Sequence, residues 1–278
     1  MIKIISLVEN TSSSPKLKST HGLCIYIETS KHKILFDLGP NALFLENARK
    51  LGVDIKKIDT VIISHGHGDH GGALAKFKEV NKTAKIYIKE SAFDRHYTKV
   101  AGIPVHIGID SALKDSDQIT FTSDYFVIDE ELVLFSNVTG RKLFSKANEK
   151  LFAKQNGKIM RDEFEHEQYL TITDANKQVL ITGCSHNGIA NIIEKYAEIH
   201  NGSFDKLNGV IGGFHLFNPI TKKYESDELI TKVAHYLAQY DVKFYTCHCT
   251  GMKAYNILKD IMGEQLNYLS VGIKIELA

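Results

Sequence analysis

The opening segment of the chain alternates short runs of apolar, mostly β-branched residues with turn residues, a pattern typical of β-strands. It predicts strands at residues 2–7, 23–29 and 34–36, with a hairpin turn at 30–33. The segment Leu43–Leu51 places its apolar residues at helical spacing and is followed by Gly52, a typical C-terminal stop. The pattern therefore predicts an antiparallel sheet followed by a helix.

Strand and helix patterns alternate along the rest of the chain. Further strands are predicted at residues 60–63, 85–88, 125–128, 132–135, 170–173, 178–182, 209–212 and 243–246. Helices are predicted at residues 73–77, 189–200 and 227–239. Residues 97–165 give mixed signals and include a Lys-rich stretch, so we predict a variable insertion or lid there. We expect one domain spanning residues 1–278, because the chain lies within the size range of large α/β folds.

The composition is that of an ordinary globular protein, with 43% hydrophobic and 24% charged residues. Lys and Arg total 34 against 33 Asp and Glu, so the charge balance gives no sign of a nucleic-acid or membrane surface. The first ten residues lack the features of a signal peptide, and no stretch is long enough to span a bilayer. We expect a cytoplasmic protein with a small-molecule substrate, and the oligomeric state stays open.

The chemistry concentrates in residues 64–72, Ser-His-Gly-His-Gly-Asp-His-Gly-Gly, directly after the predicted strand at 60–63. Four ligand-type side chains lie close together there: His65, His67, Asp69 and His70. The glycines let the backbone turn sharply enough for these side chains to converge. Imidazoles crowded together with no metal ion to bind would repel one another whenever they are protonated. The loop therefore predicts a metal site rather than a polar surface loop.

This HxHxDH motif after a buried strand resembles the metallo-β-lactamase superfamily, and the resemblance extends over essentially the whole chain. Four further phrases resemble a branch of that superfamily that contains a methanopterin-biosynthesis enzyme similar to dihydropteroate synthase. They are Leu-Phe-Asp at 35–37, Thr-Gly-Cys-Ser-His at 182–186, Gly-Gly-Phe-His at 212–215 and His-Cys-Thr-Gly at 248–251. The resemblance implies an α/β fold, a four-layer αβ/βα sandwich, with two metal sites along one edge.

The resemblance also implies how the ligands divide between one or two ions. One ion would be bound by His65, His67 and a third histidine, and the other by Asp69, His70 and a C-terminal histidine. His248 matches the C-terminal position, because it follows the predicted strand at 243–246 and precedes a glycine and a helix. We therefore expect His248 to complete the second set.

Two histidines could complete the first set, His166 and His186. His186 lies in a tight turn with Cys184 and Gly188, whereas His166 lies in the charged segment 162–168, where a solvated or substrate-facing histidine is equally expected. We favour His186 and keep His166 as an additional candidate. Cys184 stands where most relatives carry a bridging aspartate, so it either binds an ion as a thiolate or is a buried, inert cysteine.

The mixed His, Asp and Cys donors favour zinc, with iron or manganese as alternatives, over magnesium. The resemblance places His215 near the metals as a ligand, a proton donor or a substrate anchor. Asp37 matches the position that orients a ligand histidine through a hydrogen bond, although a turn or helix-capping aspartate fits almost as well. We take Asp69 and His215 as the catalytic candidates.

These residues predict a metal-dependent hydrolase, because a divalent ion lowers the pKa of bound water from about 15.7 to about 7. Its substrate would be a small molecule with a phosphoester, thioester, lactone or related bond, and Asp69 would orient the attacking hydroxide. The resemblance offers a metal-dependent transferase as an alternative, joining a pterin pyrophosphate to an aminobenzene ribose phosphate. A third hypothesis is a non-hydrolytic metal or iron-sulfur protein using Cys184, Cys247 and Cys249, although such clusters normally take four cysteines.

Overall fold

Two seven-stranded β-sheets form the centre of the molecule in the computed structural model, which describes residues 1–155 and 157–277. The strands are β1 Ile2–Val8, β2 Cys24–Glu28, β3 Lys33–Phe36, β4 Thr60–Ile62, β5 Lys85–Ile88, β6 His96–Val100, β7 Ile103–His106, β8 Ile119–Phe121, β9 Tyr125–Val127, β10 Leu132–Phe135, β11 Leu151–Gln155, β12 Lys158–Arg161, β13 Tyr169–Asp174, β14 Lys177–Ile181, β15 Leu207–Gly212, β16 Phe217–Asn218, β17 Lys223–Tyr224, β18 Lys243–Thr246, β19 Leu266–Tyr268 and β20 Lys274–Leu277. The α-helices are α1 Leu43–Leu51, α2 Gly68–Gly71, α3 Leu74–Val80, α4 Ile189–Ile199, α5 Asp227–Leu237 and α6 Met252–Met262.

The first sheet has the strand order β20-β1-β2-β3-β4-β5-β8, and the second has the order β19-β18-β15-β14-β13-β10-β9. Each sheet is antiparallel in one half and parallel in the other: β1, β2 and β3 form antiparallel pairs, and β3, β4, β5 and β8 form parallel ones. In the second sheet β14, β15, β18 and β19 are parallel neighbours. Parallel strands bring successive carboxyl ends to one edge, which is where α/β sites form.

Successive strand residues point to opposite faces, and both faces of the two sheets are apolar. Ile4 belongs to a core shared by the two sheets, whereas its neighbour Ile5 belongs to a core shared with α1 and α3. The outer face of the second sheet packs in the same way against α4, α5 and α6. The layers are therefore helix, sheet, sheet and helix, and the predicted αβ/βα sandwich is confirmed.

The elements that the sequence predicts lie within a few residues of their predicted bounds, and the helix Leu43–Leu51 ends at Gly52 in a left-handed conformation (φ 77°). The segment at 97–165 is more divided than the sequence pattern suggests. Part of it adds edge strands, β8 to the first sheet and β9 and β10 to the second. The strands β12, β11, β6 and β7 form a separate four-stranded sheet, here called the satellite sheet. Its two edge strands are exposed at every position, so they lack the apolar alternation that predicts a strand.

The segment that follows β7 of the satellite sheet is attached to the histidine-rich loop by backbone hydrogen bonds. Gly68 donates its N–H to the carbonyl of Ile107, 2.7 Å away, and Ile109 donates to the carbonyl of Gly66. Among the described residues, no helix combines the length and the apolar character needed to cross a membrane.

Candidate metal centre

Residues that follow five strands of the two sheets meet at one edge of the sandwich. The segments follow β3, β4, β14, β15 and β18, and they carry the predicted candidates Asp37, His65, His67, Asp69, His70, Cys184, His186, His215 and His248. All of these except Asp69 are buried. The structure thus brings together residues that are separated by up to about two hundred positions in the chain.

His65, His67 and His186 form the first cluster. One ring nitrogen of each lies within 4.8 Å of the other two, and the Nε2 atom of each is buried without a hydrogen-bond partner. In two of the three rings the opposite nitrogen is engaged: Nδ1 of His65 lies 2.8 Å from Ser64 Oγ, and Nδ1 of His186 lies 2.9 Å from Asn148 Oδ1. An amide oxygen only accepts, so His186 carries its proton on Nδ1 and presents a lone pair on Nε2.

A buried polar atom without a partner costs about 1–3 kcal/mol. Three such nitrogens converging on one point are the pattern that a divalent transition metal would satisfy, and imidazole nitrogens suit zinc, iron and related ions. The first cluster therefore fits a metal. His67 also lies in a second group of possible ligand atoms, with His96, Asp162 and His166, so the ring partners of His166 bear on its role.

Asp69, His70 and His248 form the second cluster. Asp69 Oδ2 lies 3.3 Å from His248 Nε2 and 3.8 Å from His70 Nε2, and the two Nε2 atoms are 3.2 Å apart. His70 donates its Nδ1 proton to Asp37, 2.6 Å away, and His248 donates its Nδ1 proton to Asn10 Oδ1, 2.9 Å away. The two neutral rings would thus face each other with lone pairs, and an ion or a proton must lie between them.

In the protein without an ion, that proton belongs to His70. Burial lowers the pKa of His70, but the carboxylates of Asp37 and Asp69 outweigh burial and raise the pKa to about 9. A metal at this cluster must displace the proton, because a ligand histidine is neutral on its coordinating nitrogen.

We expect binding of the second ion to release the His70 proton at neutral pH, and this proton alone should make affinity rise about tenfold for each pH unit up to about 9. Titration calorimetry in buffers of different ionisation enthalpy measures the protons released. If His70→Ala still binds the second ion and releases as many protons as the native protein, the displaced proton does not come from His70.

Asp37 connects the two clusters. It is fully buried, and its backbone has a left-handed conformation (φ 58°). Its Oδ1 accepts the Ser64 N–H at 2.7 Å, and its Oδ2 accepts both the Ser64 hydroxyl at 2.7 Å and His70 Nδ1. Because the Ser64 hydroxyl donates to Asp37, it accepts the proton of His65 Nδ1. One carboxylate therefore contacts a histidine of each cluster, directly or through Ser64, an arrangement that could orient both rings.

His166 is buried near the first cluster, but both of its ring nitrogens are already engaged. The Gly66 N–H donates to Nδ1 at 2.9 Å, so Nε2 carries the ring proton and donates to Asp162 Oδ2 at 3.1 Å. The same carboxylate oxygen lies 3.1 Å from Nδ1 of His96. The geometry argues against His166 as an additional ligand, since neither nitrogen keeps a free lone pair. The ring instead fixes Gly66 between His65 and His67.

Replacing His166 with alanine is expected to leave the metal content unchanged while lowering the free energy of unfolding by about 1–3 kcal/mol, because buried partners at Gly66 and Asp162 lose their hydrogen bonds. Elemental analysis and urea unfolding of the same sample test both parts. If His166→Ala loses an ion while remaining folded, our assignment of His166 is wrong.

Sulfur atoms lie beside the second cluster. Cys184 Sγ is 3.1 Å from His70 Nε2, and Cys249 Sγ is 3.4 Å from the Cys184 carbonyl oxygen. Cys24 and Cys247 instead belong to two different apolar cores. The described residues therefore do not gather four thiols, which an iron-sulfur cluster normally needs.

His215 lies on the pocket side of the clusters. Its backbone is left-handed (φ 47°), its ring centroid is 4.1 Å from that of His186, and neither ring nitrogen has a hydrogen-bond partner. Sequence reasoning missed His21, whose Nε2 lies 3.1 Å from Asp69 Oδ2. No local ligand spacing surrounds His21, so only its position in the fold reveals it.

These groups open into a pocket of about 420 Å³. Apart from the histidines, Asp69 and the cysteines, its wall is largely apolar: Ile107, Ala147, Leu151, Pro219 and Ile220. Among the described residues, no Lys or Arg lines it. A ligand that fits would present an apolar or aromatic part to this wall and a polar group to the metal ligands.

Comparison with known proteins agrees with this architecture. Residues 19–207 match the metallo-β-lactamase superfamily. An uncharacterized protein of Methanocaldococcus jannaschii is 30% identical over 94% of this chain and 94% of its own length. The 7,8-dihydropterin-6-methyl-4-(β-D-ribofuranosyl)-aminobenzene-5'-phosphate synthase of the same organism is 30% identical over 98% of this chain and 95% of its own.

Among solved structures, a metal-dependent hydrolase of the β-lactamase superfamily is 30% identical, with a TM-score of 0.82 and full coverage of both chains. The match therefore extends beyond the histidine-rich loop to both sheets and all the segments that carry the clusters. From the fold, the two clusters and these similarities together, the chain belongs to the metallo-β-lactamase superfamily.

Proposed function

We propose that this protein is a metal-dependent hydrolase of small molecules that holds two divalent transition-metal ions. His65, His67 and His186 would bind one ion, and Asp69, His70 and His248 would bind the other, with zinc as the first choice. The observation that carries the proposal is the convergence of three buried, unpartnered Nε2 atoms on one point beside the pocket.

Bound ions would lower the pKa of a water from about 15.7 to about 7 and polarise a phosphoryl or carbonyl oxygen. Asp69 is the one ligand of the two clusters that is not fully enclosed, its side chain being 25% exposed, and His21 holds its Oδ2 from the pocket side. Asp69 can therefore orient a nucleophile toward the pocket. His215 has no protein partner on either ring nitrogen, so it can hold a proton for the leaving group.

The pocket wall defines the kind of substrate. The apolar wall suits a substrate with a ring or an aliphatic part, and the scissile phosphoester, thioester or lactone group would face the histidines. We also propose that the satellite sheet and its neighbouring loops act as a substrate-specific cover, because His106 and Leu151 of this sheet line the pocket.

Elemental analysis of the purified protein tests the proposal. The native chain should carry about two ions, and His67→Ala and His248→Ala should each carry one ion fewer. Activity on a panel of phosphodiesters, thioesters and lactones should be lost in both variants. His235→Ala serves as the control, because His235 lies exposed on α5. A native protein that binds no zinc, iron or manganese even after reconstitution would overturn the proposal.

A transferase is the second candidate, and it is favoured by the 30% identity to the synthase over nearly the whole chain. In that reaction a ring amine or carbon nucleophile would replace water, and the apolar wall could hold the aromatic ring. Pyrophosphate release should then require a pterin pyrophosphate and an aminobenzene ribose phosphate together. Release with the pterin pyrophosphate alone would favour hydrolysis.

A further inference from the structure

Cys249 lies in the short turn His248–Thr250 after β18, directly beside a residue of the second cluster, and its side chain is buried. Its sulfur, the sulfur of Cys184 and a ring nitrogen of His248 all lie within 4.8 Å of one another. Ligand atoms around a tetrahedral zinc are about 3.3–3.8 Å apart, as follows from bond lengths of about 2.0–2.3 Å. The three atoms are therefore close enough to share one ion after small side-chain adjustments.

The backbone leaves room for this sulfur and supplies a hydrogen bond to it. A Cβ atom on Gly213 would lie only 2.4 Å from Cys249 Sγ, so the glycine makes space for the sulfur. The backbone N–H of His215 donates to the same sulfur at 3.3 Å. An N–H donor favours a thiolate over a thiol, because it stabilises negative charge on the acceptor.

The other cysteines show what an inert thiol looks like in this protein. Cys24 and Cys247 are fully buried in apolar cores, as is typical of cysteines that act as small hydrophobic residues. Cys184 and Cys249 instead line the pocket together with the candidate metal ligands. Their environment is therefore that of ligands rather than of core residues.

We propose that Cys249 is a ligand of the second ion, acting with Cys184, His70 and His248, so that this position is sulfur-rich and selects zinc over manganese. These four side chains would fill a tetrahedral zinc site, so Asp69 would leave the ligand set and keep its role toward the nucleophile, which the three-ligand first ion would activate. The proposal rests on the two-ion site proposed above. Each thiol that binds loses its proton to solvent as its sulfur–metal bond forms, and no change of oxidation state is involved. Thiolates prefer softer ions, whereas manganese prefers oxygen donors, and this difference gives the selectivity.

X-ray absorption at the zinc edge tests the proposal on the native holoprotein and needs no variant. Two thiolates shared between two ions should give an average of about one sulfur per zinc at about 2.3 Å. A spectrum fitted by nitrogen and oxygen alone, in protein that carries two zinc ions, would overturn the proposal and leave the two-ion function intact. Protein that binds no metal would defeat the proposed function itself.

Cobalt substitution separates the individual cysteines. The native protein should show thiolate-to-cobalt charge-transfer absorption in the near ultraviolet, and Cys249→Ser should lose about half of it and bind the second ion at least about tenfold more weakly. Cys247→Ser is the matched control, because Cys247 is two positions away and packs in an apolar core. Undiminished charge transfer in folded Cys249→Ser, checked by circular dichroism, would show that Cys249 is not a ligand.

Discussion

His186→Ala is expected to remove the first ion and to lower kcat/KM by about a thousandfold or more. His186 supplies one of three converging Nε2 atoms, and its loss leaves only His65 and His67. Metal ions contribute several kcal/mol of transition-state stabilisation, and each 1.36 kcal/mol corresponds to a factor of ten in rate. The measurements are elemental analysis of the variant and kinetics on whichever substrate the native protein hydrolyses.

His166→Ala is the matched comparison, because both histidines are buried near His67 but only His186 has a free Nε2. The second ion should remain in His186→Ala, since its ligands belong to a separate cluster. If the variant keeps two ions and near-native activity, the first cluster must be completed by another residue, and our ligand assignment fails.

Asp37→Ala is expected to have the largest effect on stability, lowering the free energy of unfolding of the metal-free protein by about 3–5 kcal/mol. The substitution leaves the Ser64 N–H, the Ser64 hydroxyl and His70 Nδ1 without their buried acceptor. Metal affinity should also fall about 10–100-fold, because both clusters lose an oriented histidine. Urea unfolding of metal-free protein and competition with a chelator measure the two effects.

Asp37→Asn separates the charge of Asp37 from its backbone conformation. Asparagine tolerates the left-handed conformation of position 37, whereas alanine adds a strain of about 1–2 kcal/mol. The asparagine variant should therefore fall between the native protein and Asp37→Ala in stability, and it should still lose metal affinity. Native-like affinity in Asp37→Asn would show that the carboxylate does not orient the ligands.

Much of the fold follows from local patterns. Most strands and helices of the two sheets lie near predicted positions because each has a buried face and a clear stop signal, as the helix ending at Gly52 illustrates. The sequence pattern did not predict the strands β8, β19 and β20. The satellite sheet does not follow from such patterns. Its edge strands β7 and β12 are exposed throughout, so their positions depend on hydrogen bonds to neighbouring strands rather than on an apolar face.

The sequence by itself determined the superfamily and the densest part of the site, because the ligands of the histidine-rich loop lie within one turn of the chain and are placed by local geometry. The proposed choice of His186 over His166 rests on the tertiary structure alone, because it depends on the partner of Nδ1 in each ring. In His166 the Gly66 N–H donates to Nδ1, so the ring proton lies on Nε2. In His186 the Asn148 oxygen accepts the Nδ1 proton, so Nε2 keeps a free lone pair. The proposed roles of His21 and Cys249 depend on the tertiary structure in the same way, since partners far apart in the chain meet only when the two sheets align their strand ends.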